Sequence, residues 1–186
     1  MKRLFALLCV VAVCLTTPLY AATTAAAADE KYPSKKALQR EWTYEGVAFE
    51  NRGGNDFANM VVATLQMQSS QIEQMAGIKA GDVELTFDAK QVVANYRNEA
   101  SAKCDYTYNA KTGAITLSGK TDYKSYSIEG VVVLRDDAIY IFFDVNKLLA
   151  LAKDINPDIA QNSQLKTLQQ MLSSQQGIFI GAKFTR

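Results

Sequence analysis

The sequence predicts a mainly β protein with helices, an eight-stranded antiparallel barrel. One helix follows the first strand and a helical insertion precedes the last. Three observations carry this. Gly113 to Leu149 reads as strand after strand separated by tight turns, with Ile115 and Leu117 alternating against Thr116 and Ser118. Further segments with the same period of two bring the strands to eight: 42–49, 82–87, 91–97, 101–108, 114–118, 123–134, 138–145 and 177–184. Between the strands the period changes to 3.6 in two places, after the first strand and after the seventh. Eight antiparallel strands can close into a barrel whose interior holds side chains or one small ligand. Pairing of the first and last strands would then leave no open edge.

The elements follow in order. Lys2 and Arg3 precede an apolar run from Leu4 to Leu15, which is too short to span a bilayer; Pro18 breaks it and Ala21 and Ala22 follow. Residues 1–22 therefore read as a secretory signal peptide, 23–31 as a flexible lead and 32–186 as the barrel domain. A lipid-modified Cys14 is disfavoured by the bulky Val13 before it. Ser34 can cap a short helical turn over 35–40. Trp42 to Phe49 is the first strand, and Gly46 inside it signals a bend or bulge. Asn55 can cap a helix over 56–76, about 31 Å long. Its apolar stripe is Phe57, Met60, Val61, Leu65, Ile72 and Met75, interrupted at Gln68, and Gly77 stops it.

The inward phase then runs Val83, Leu85 and Phe87; Val92, Ala94 and Tyr96; Cys104, Tyr106 and Tyr108; and Tyr126, Ile128, Val132 and Leu134. Asp136-Asp137 fits a two-residue hairpin loop. Ile139 to Val145 is apolar on both faces, so its outer face needs a cover, which the 146–175 helices could supply. Asp144 or Asn146 can cap a helix through Ile155, Pro157 interrupts it, and a second helix spans 163–174. Ile178, Ile180, Ala182 and Phe184 share one face of the last strand.

The chain resembles a family at this point, the lipocalin-like exported proteins of Bacteroides-type bacteria, whose function is uncharacterised. The residues that carry the resemblance are Trp42-Thr43-Tyr44-Glu45-Gly46, Val47-Ala48-Phe49-Glu50-Asn51, Glu84-Leu85-Thr86-Phe87, Gly113-Ala114-Ile115-Thr116-Leu117 and Phe143-Asp144-Val145-Asn146-Lys147-Leu148-Leu149. It covers nearly all of the chain after the leader. It implies an eight-stranded lipocalin-like barrel and no known activity. True lipocalins open their first strand with Gly-x-Trp, and the Trp packs across the floor under an Arg from the last strand. Here Arg40 stands at the glycine position before Trp42, and Arg186 is placed to serve as the Arg.

Composition narrows the function. The chain has no histidine, which excludes Ser-His-Asp chemistry, a His general base and His-ligated zinc or haem. Loss of the leader removes Lys2 and Arg3, leaving 18 basic against 19 acidic residues, with no basic block to meet nucleic acid. Cys104 is then a lone thiol, so no internal disulfide forms, and roughly 160 residues are enough to build a core without one. Asp154, Asn156 and Asp158 have the spacing that opens a calcium loop, but Ile159 and Leu165 stand where its Gly and Glu belong, and capping around Pro157 explains them.

The expected function is that of an exported, periplasmic, envelope or secreted binding protein for a small apolar or amphipathic ligand or lipid, with no catalytic residue, no metal and no cofactor. The candidate binding residues are Tyr96, Tyr106, Tyr108, Tyr126, Ile128, Met60, Leu85 and Phe87. Several tyrosine hydroxyls turned into one barrel could orient a ligand or bond one another across a filled core. A ligand chamber would measure roughly 300 Å³ or more. The alternative is an envelope assembly module with a solid barrel and an apolar outer patch that docks another protein.

Overall fold

The computed structural model describes residues 30–97, 99–120, 124–155 and 177–186. The leader, the Pro157 break, the 163–174 helix, and Asn156 and Asp158 of the calcium-like spacing lie outside the described residues.

All eight strands form, in a closed antiparallel barrel whose spatial order is the chain order. They are β1 (Glu41–Asn51), β2 (Val83–Phe87), β3 (Gln91–Tyr96), β4 (Glu99–Tyr108), β5 (Ala114–Lys120), β6 (Ser125–Arg135), β7 (Ala138–Asp144) and β8 (Ile178–Thr185). The closing seam is β1 against β8, from Thr43↔Thr185 to Asn51↔Ile178. The register shifts between Tyr44 and Gly46, the bulge that Gly46 signals, and this turns Val47 and Phe49 inward with Trp42 and Tyr44. Asp136 and Asp137 both take positive φ (47° and 64°), the backbone that a two-residue hairpin loop between right-twisted strands requires.

The helices are α1 (Lys35–Leu38), α2 (Asp56–Met67), α3 (Ser69–Ala76) and α4 (Val145–Ile155). Three caps form as the sequence indicates. Ser34 Oγ accepts from Ala37 N at 3.1 Å, Asn55 Oδ1 from Phe57 N at 2.9 Å, and Asp144 Oδ1 from Lys147 N at 3.0 Å. The single helix expected over 56–76 is instead two. Gln68 N–H is shared between Thr64 O and Leu65 O, its ψ opens to 3°, and Gln68 O restarts the ladder to Gln71 N and Ile72 N. The bend leaves Leu65 of α2 and Ile72 of α3 packed in the same mouth core. Two serines, residues with little reason to stay helical, follow the bend. Gly77 ends α3 in the left-handed conformation, φ 63°.

The interior divides by height. At the floor, Leu38, Trp42, Phe87, Tyr106, Ile139 and Phe184 pack together, among others. Trp42 is 1 % exposed; its Nε1 donates to Leu38 O at 3.0 Å, and the Arg186 guanidinium lies 5.8 Å from its ring. The floor therefore has its Trp and Arg despite Arg40 at the glycine position. At the mouth, α2, α3 and α4 contribute Val61, Leu65, Ile72, Val145, Leu148 and Leu149 against Phe49, Ile128 and Ile180.

A smaller core lies outside the barrel. Ala48, Val131, Val133 and Phe142 are buried there beneath Tyr32, Tyr140 and Phe179. Among the described residues its cover is residues 30–33 and two guanidiniums; of the expected 146–175 helices, α4 packs at the mouth and the remainder lies outside the described residues. Lys31 bridges to Leu134, Arg135 lies over Tyr140 and Phe142, and Arg52 lies over Phe179. Glu30 and Glu50 pair with both arginines and fix them there. No helix among the described residues is long and apolar enough to cross a membrane.

Candidate functional site

Small inward side chains make room where large ones would fill it. Ala94 and Ala102 face each other across β3 and β4, with Cys104 beside them. Around this gap the lumen keeps a cavity of about 160 Å³, walled by Val47, Leu85, Phe87, Val92, Leu117, Ile141, Phe143, Ile180 and Phe184 and roofed by Ile72, Glu73, Ala76 and Leu148. This is about half the volume expected for a chamber. An apolar cavity of about 150 Å³ still accepts a benzene-sized guest.

The roof is built into a gap in the sheet. β1 pairs with β2 only over Glu41–Thr43, so its upper edge has no strand beside it. The α2–α3 pair takes that place and supplies the acceptors a strand would have offered. Phe49 N donates to Gln66 Oε1 at 3.1 Å, and Val47 N donates to Glu73 Oε1 at 2.9 Å. Tyr44 OH donates to the same Glu73 oxygen at 2.7 Å. Burial first, and then this bond, push the Tyr44 hydroxyl far above the usual phenol range, so it stays protonated as a donor. Glu73 Oε1 lies beside Gly46, in van der Waals reach (3.4 Å) of where a Cβ would stand.

The far end of α3 is tied to the β2–β3 hairpin. Arg97 Nη2 donates to Gly77 O at 3.0 Å and to Asp82 Oδ2 at 3.1 Å, and Lys79 N donates to the same carboxylate oxygen at 3.2 Å. The Arg97 bond holds the Asp82 carboxyl below its ordinary value of 3.8, against the opposing pull of burial. A carboxylate with a depressed folded pKa stabilises the fold fully above its unfolded value. That contribution is lost as pH falls from about 4 through the folded value. Asp88, held low by Lys90 N and Gln91 N, adds to the same acid limb. Denaturation followed between pH 6 and 2 should show stability falling below about pH 4, and Asp82→Asn should flatten part of that slope.

The candidate binding residues separate in this geometry. Leu85 and Phe87 line the cavity. Tyr106, Tyr108 and Tyr96 turn inward but give their hydroxyls to backbone carbonyls: Asp88 O at 2.6 Å, Pro33 O at 2.7 Å and Gly77 O at 3.2 Å. They neither converge on the cavity nor bond one another. Tyr106 also meets Phe87 edge to face, 5.2 Å between centroids, and burial pushes the Tyr108 hydroxyl up to about 12. Tyr126 lies across Gly119, where an added Cβ would come 2.5 Å from its hydroxyl. Burial raises its pKa, with Cys104 as a lesser cause. Ile128 belongs to the mouth core, and Met60 is half-buried on α2, outside the cavity wall.

The sequence reading did not single out Tyr44, Glu73, Ala94, Ala102 and Cys104 as site residues. The small inward trio was the signal available for the cavity. For Glu73 no local signal existed, because its partners depend on how far β2 runs along β1.

Cys104 reports on the chamber. Burial pushes its thiol up to about 11, so little thiolate exists at neutral pH. Disulfide reagents at pH 8 should modify it at least ~100-fold more slowly than an unfolded control, as judged by its thiolate fraction.

An outer groove of about 280 Å³ is lined by Glu45, Gln66, Arg135, Tyr140 and Lys183. Its cations are already engaged, Lys183 with Glu45 and Arg135 with Glu50. Among the described residues, no cluster of His, Cys, Asp or Glu is arranged to hold a metal ion.

Comparison with known proteins follows the same lines. A family model described as "Lipocalin-like domain (DUF4923)" matches residues 17–186, and the chain belongs to that family. No curated protein and no solved structure matches it.

Proposed function

From that membership, we propose that this lipocalin-like domain is an exported binding protein that holds a small apolar or amphipathic molecule and performs no chemistry on it. The observation that carries the reading is the lumen, whose walls are almost wholly aliphatic and aromatic beneath a roof hung on a few hydrogen bonds. Few, well-placed polar groups in an apolar concavity are what ligand sites offer. A domain with no purpose for the space would fill it, since each unfilled methyl-sized void costs stability. Export is supported by the leader pattern of Lys2, Arg3 and the Leu4–Leu15 run. The absence of catalysis is supported by a sequence without histidine.

The volume sets the guest's size. About six carbons fit within the chamber, either a whole small molecule or the end of a longer chain that leaves through the mouth. The assembly alternative called for a solid barrel and a broad apolar patch outside. The outer core of β6 to β8 is instead covered, and the large exposed apolar side chains among the described residues are Phe57 and Met67, at opposite ends of α2. Mass spectrometry of small molecules extracted from the natively purified protein tests the proposal. A recurring lipid or amphiphile at near-stoichiometric yield is expected. An empty extract, together with no retention of added six-carbon compounds, would contradict it.

A further inference from the structure

Resting on the reading of the lumen as a ligand chamber, we propose that the chamber selects an apolar molecule with a hydrogen-bond-donating head, a primary amine first and an alcohol second, which docks on Glu73. The same group rejects carboxylate amphiphiles such as fatty acids.

Among the described residues, the wall and roof of the cavity contain one charged side chain, Glu73, and neither Lys nor Arg. A fatty acid would bring a second negative charge to a surface that offers it no cation. In an apolar enclosure such a like-charge contact is screened far less than in water. Glu73 is also held in place rather than free to swing away. Its two protein hydrogen bonds, from Tyr44 OH and Val47 N, both land on Oε1, which leaves Oε2 to a ligand donor. Tyr44 spends its proton on Glu73 and faces the cavity as an acceptor only. Two acceptors side by side at the rim, with about six carbons' depth of apolar wall below them, match an alkylammonium or alkanol, head up and tail down. A head group that donates to Glu73 also sits against the α3 roof, so its binding reinforces closure.

The test is a nuclear magnetic resonance titration of the intact domain with three six-carbon probes: hexylamine, hexan-1-ol and hexanoate. In the wild-type protein, hexylamine should bind at least tenfold more tightly than hexanoate, with hexan-1-ol between them and shifts at Phe87, Cys104 and Phe143. Glu73→Gln, which keeps an acceptor for Tyr44 and Val47, should bring hexylamine and hexanoate within about threefold while hexan-1-ol still binds. Tyr44→Phe removes a bond but keeps the charge, so it should preserve the amine preference; with the wild-type ranking it decides the matter should Glu73→Gln fail to fold. Hexanoate binding as tightly as hexylamine in the lumen would overturn the proposed selectivity and leave the chamber intact. Silence of the lumen residues to all three probes would overturn the chamber reading, and the selectivity with it.

Discussion

Trp42→Ala should cost about 4 kcal/mol, the upper part of the range for truncating a fully buried aromatic side chain. Trp42 is 1 % exposed and closes the floor against Leu38, Val83, Phe87 and Phe184. Its removal opens a void beneath the cavity already present and takes one of two donors from Leu38 O, which keeps Arg40 N at 2.8 Å. The flanking side chains cannot collapse into that void. α1 is only four residues long, and its C-cap Gln39 is tied to the β2–β3 turn, Nε2 donating to Asp88 O. For a domain of this size the loss is a large part of total stability, which is ordinarily about 5–15 kcal/mol. Urea unfolding followed by circular dichroism should therefore show the midpoint falling steeply. Arg186→Ala, which removes the exposed guanidinium from the same ring, should cost no more than about 1 kcal/mol. Equal losses from the two variants would mean that the guanidinium rather than the burial secures the floor.

Gly181→Ala should be nearly as damaging, for the opposite reason. Gly181 sits mid-strand in β8 opposite Phe142, on the outer face where the Phe142 ring lies against the sheet. A Cβ there would come 2.2 Å from Ile141 O and 2.7 Å from Phe142 Cδ1. The carbonyl is backbone within the β7–β8 ladder and cannot step aside as the tip of a long side chain can. The clash therefore falls on the strand that also closes the barrel against Ala48 of β1. Overpacking costs of about 3 kcal/mol are expected. Gly54→Ala is the matched control. Its φ of 70° disfavours alanine, but nothing lies within 4 Å of the new carbon, so about 1 kcal/mol should cover it. Thermal or urea unfolding of the pair would show whether the contact or the backbone preference dominates. A Gly181→Ala domain as stable as wild type would contradict the packing described for the outer core.

The barrel was largely legible in the sequence because its evidence is local. Alternation identifies strands, Asp136-Asp137 and Gly77 identify ends, and Ser34, Asn55 and Asp144 identify caps. Each is decided within a few residues of itself. The bend at Gln68 was visible as an interrupted stripe, yet the stripe alone does not say whether the helix runs on through it. The site was legible in part. Phase along a strand tells which face a residue occupies but not how high it sits, because height follows from strand tilt and stagger around the whole barrel. Tyr106 and Tyr108 are inward, as their phase requires, yet they lie near the α1 end, where backbone carbonyls claim their hydroxyls. Leu85 and Phe87 share that phase and reach the cavity. Glu73 was out of reach for a different reason: its role exists only because β2 stops short of the upper half of β1, a matter of two segments far apart in sequence.

The outer core carries a lesson about strand patterns. Ile139 to Val145, apolar on both faces, required something outside the barrel. Among the described residues that need is met by Tyr32, two arginines and the carboxylates that pin them, while α4 packs at the mouth. Guanidiniums placed over aromatic rings cover apolar surface and keep their charge paired with carboxylates.

The central claim is that a closed barrel encloses an apolar chamber able to take a guest. Diffraction from crystals of the domain under xenon pressure tests it most directly, since xenon enters dry apolar cavities without needing a particular functional group. Ordered xenon between Leu85, Phe87, Cys104 and Phe143, with β1 and β8 still paired, is the predicted result. A lumen packed solid at those side chains, or a sheet open between β1 and β8, would contradict it.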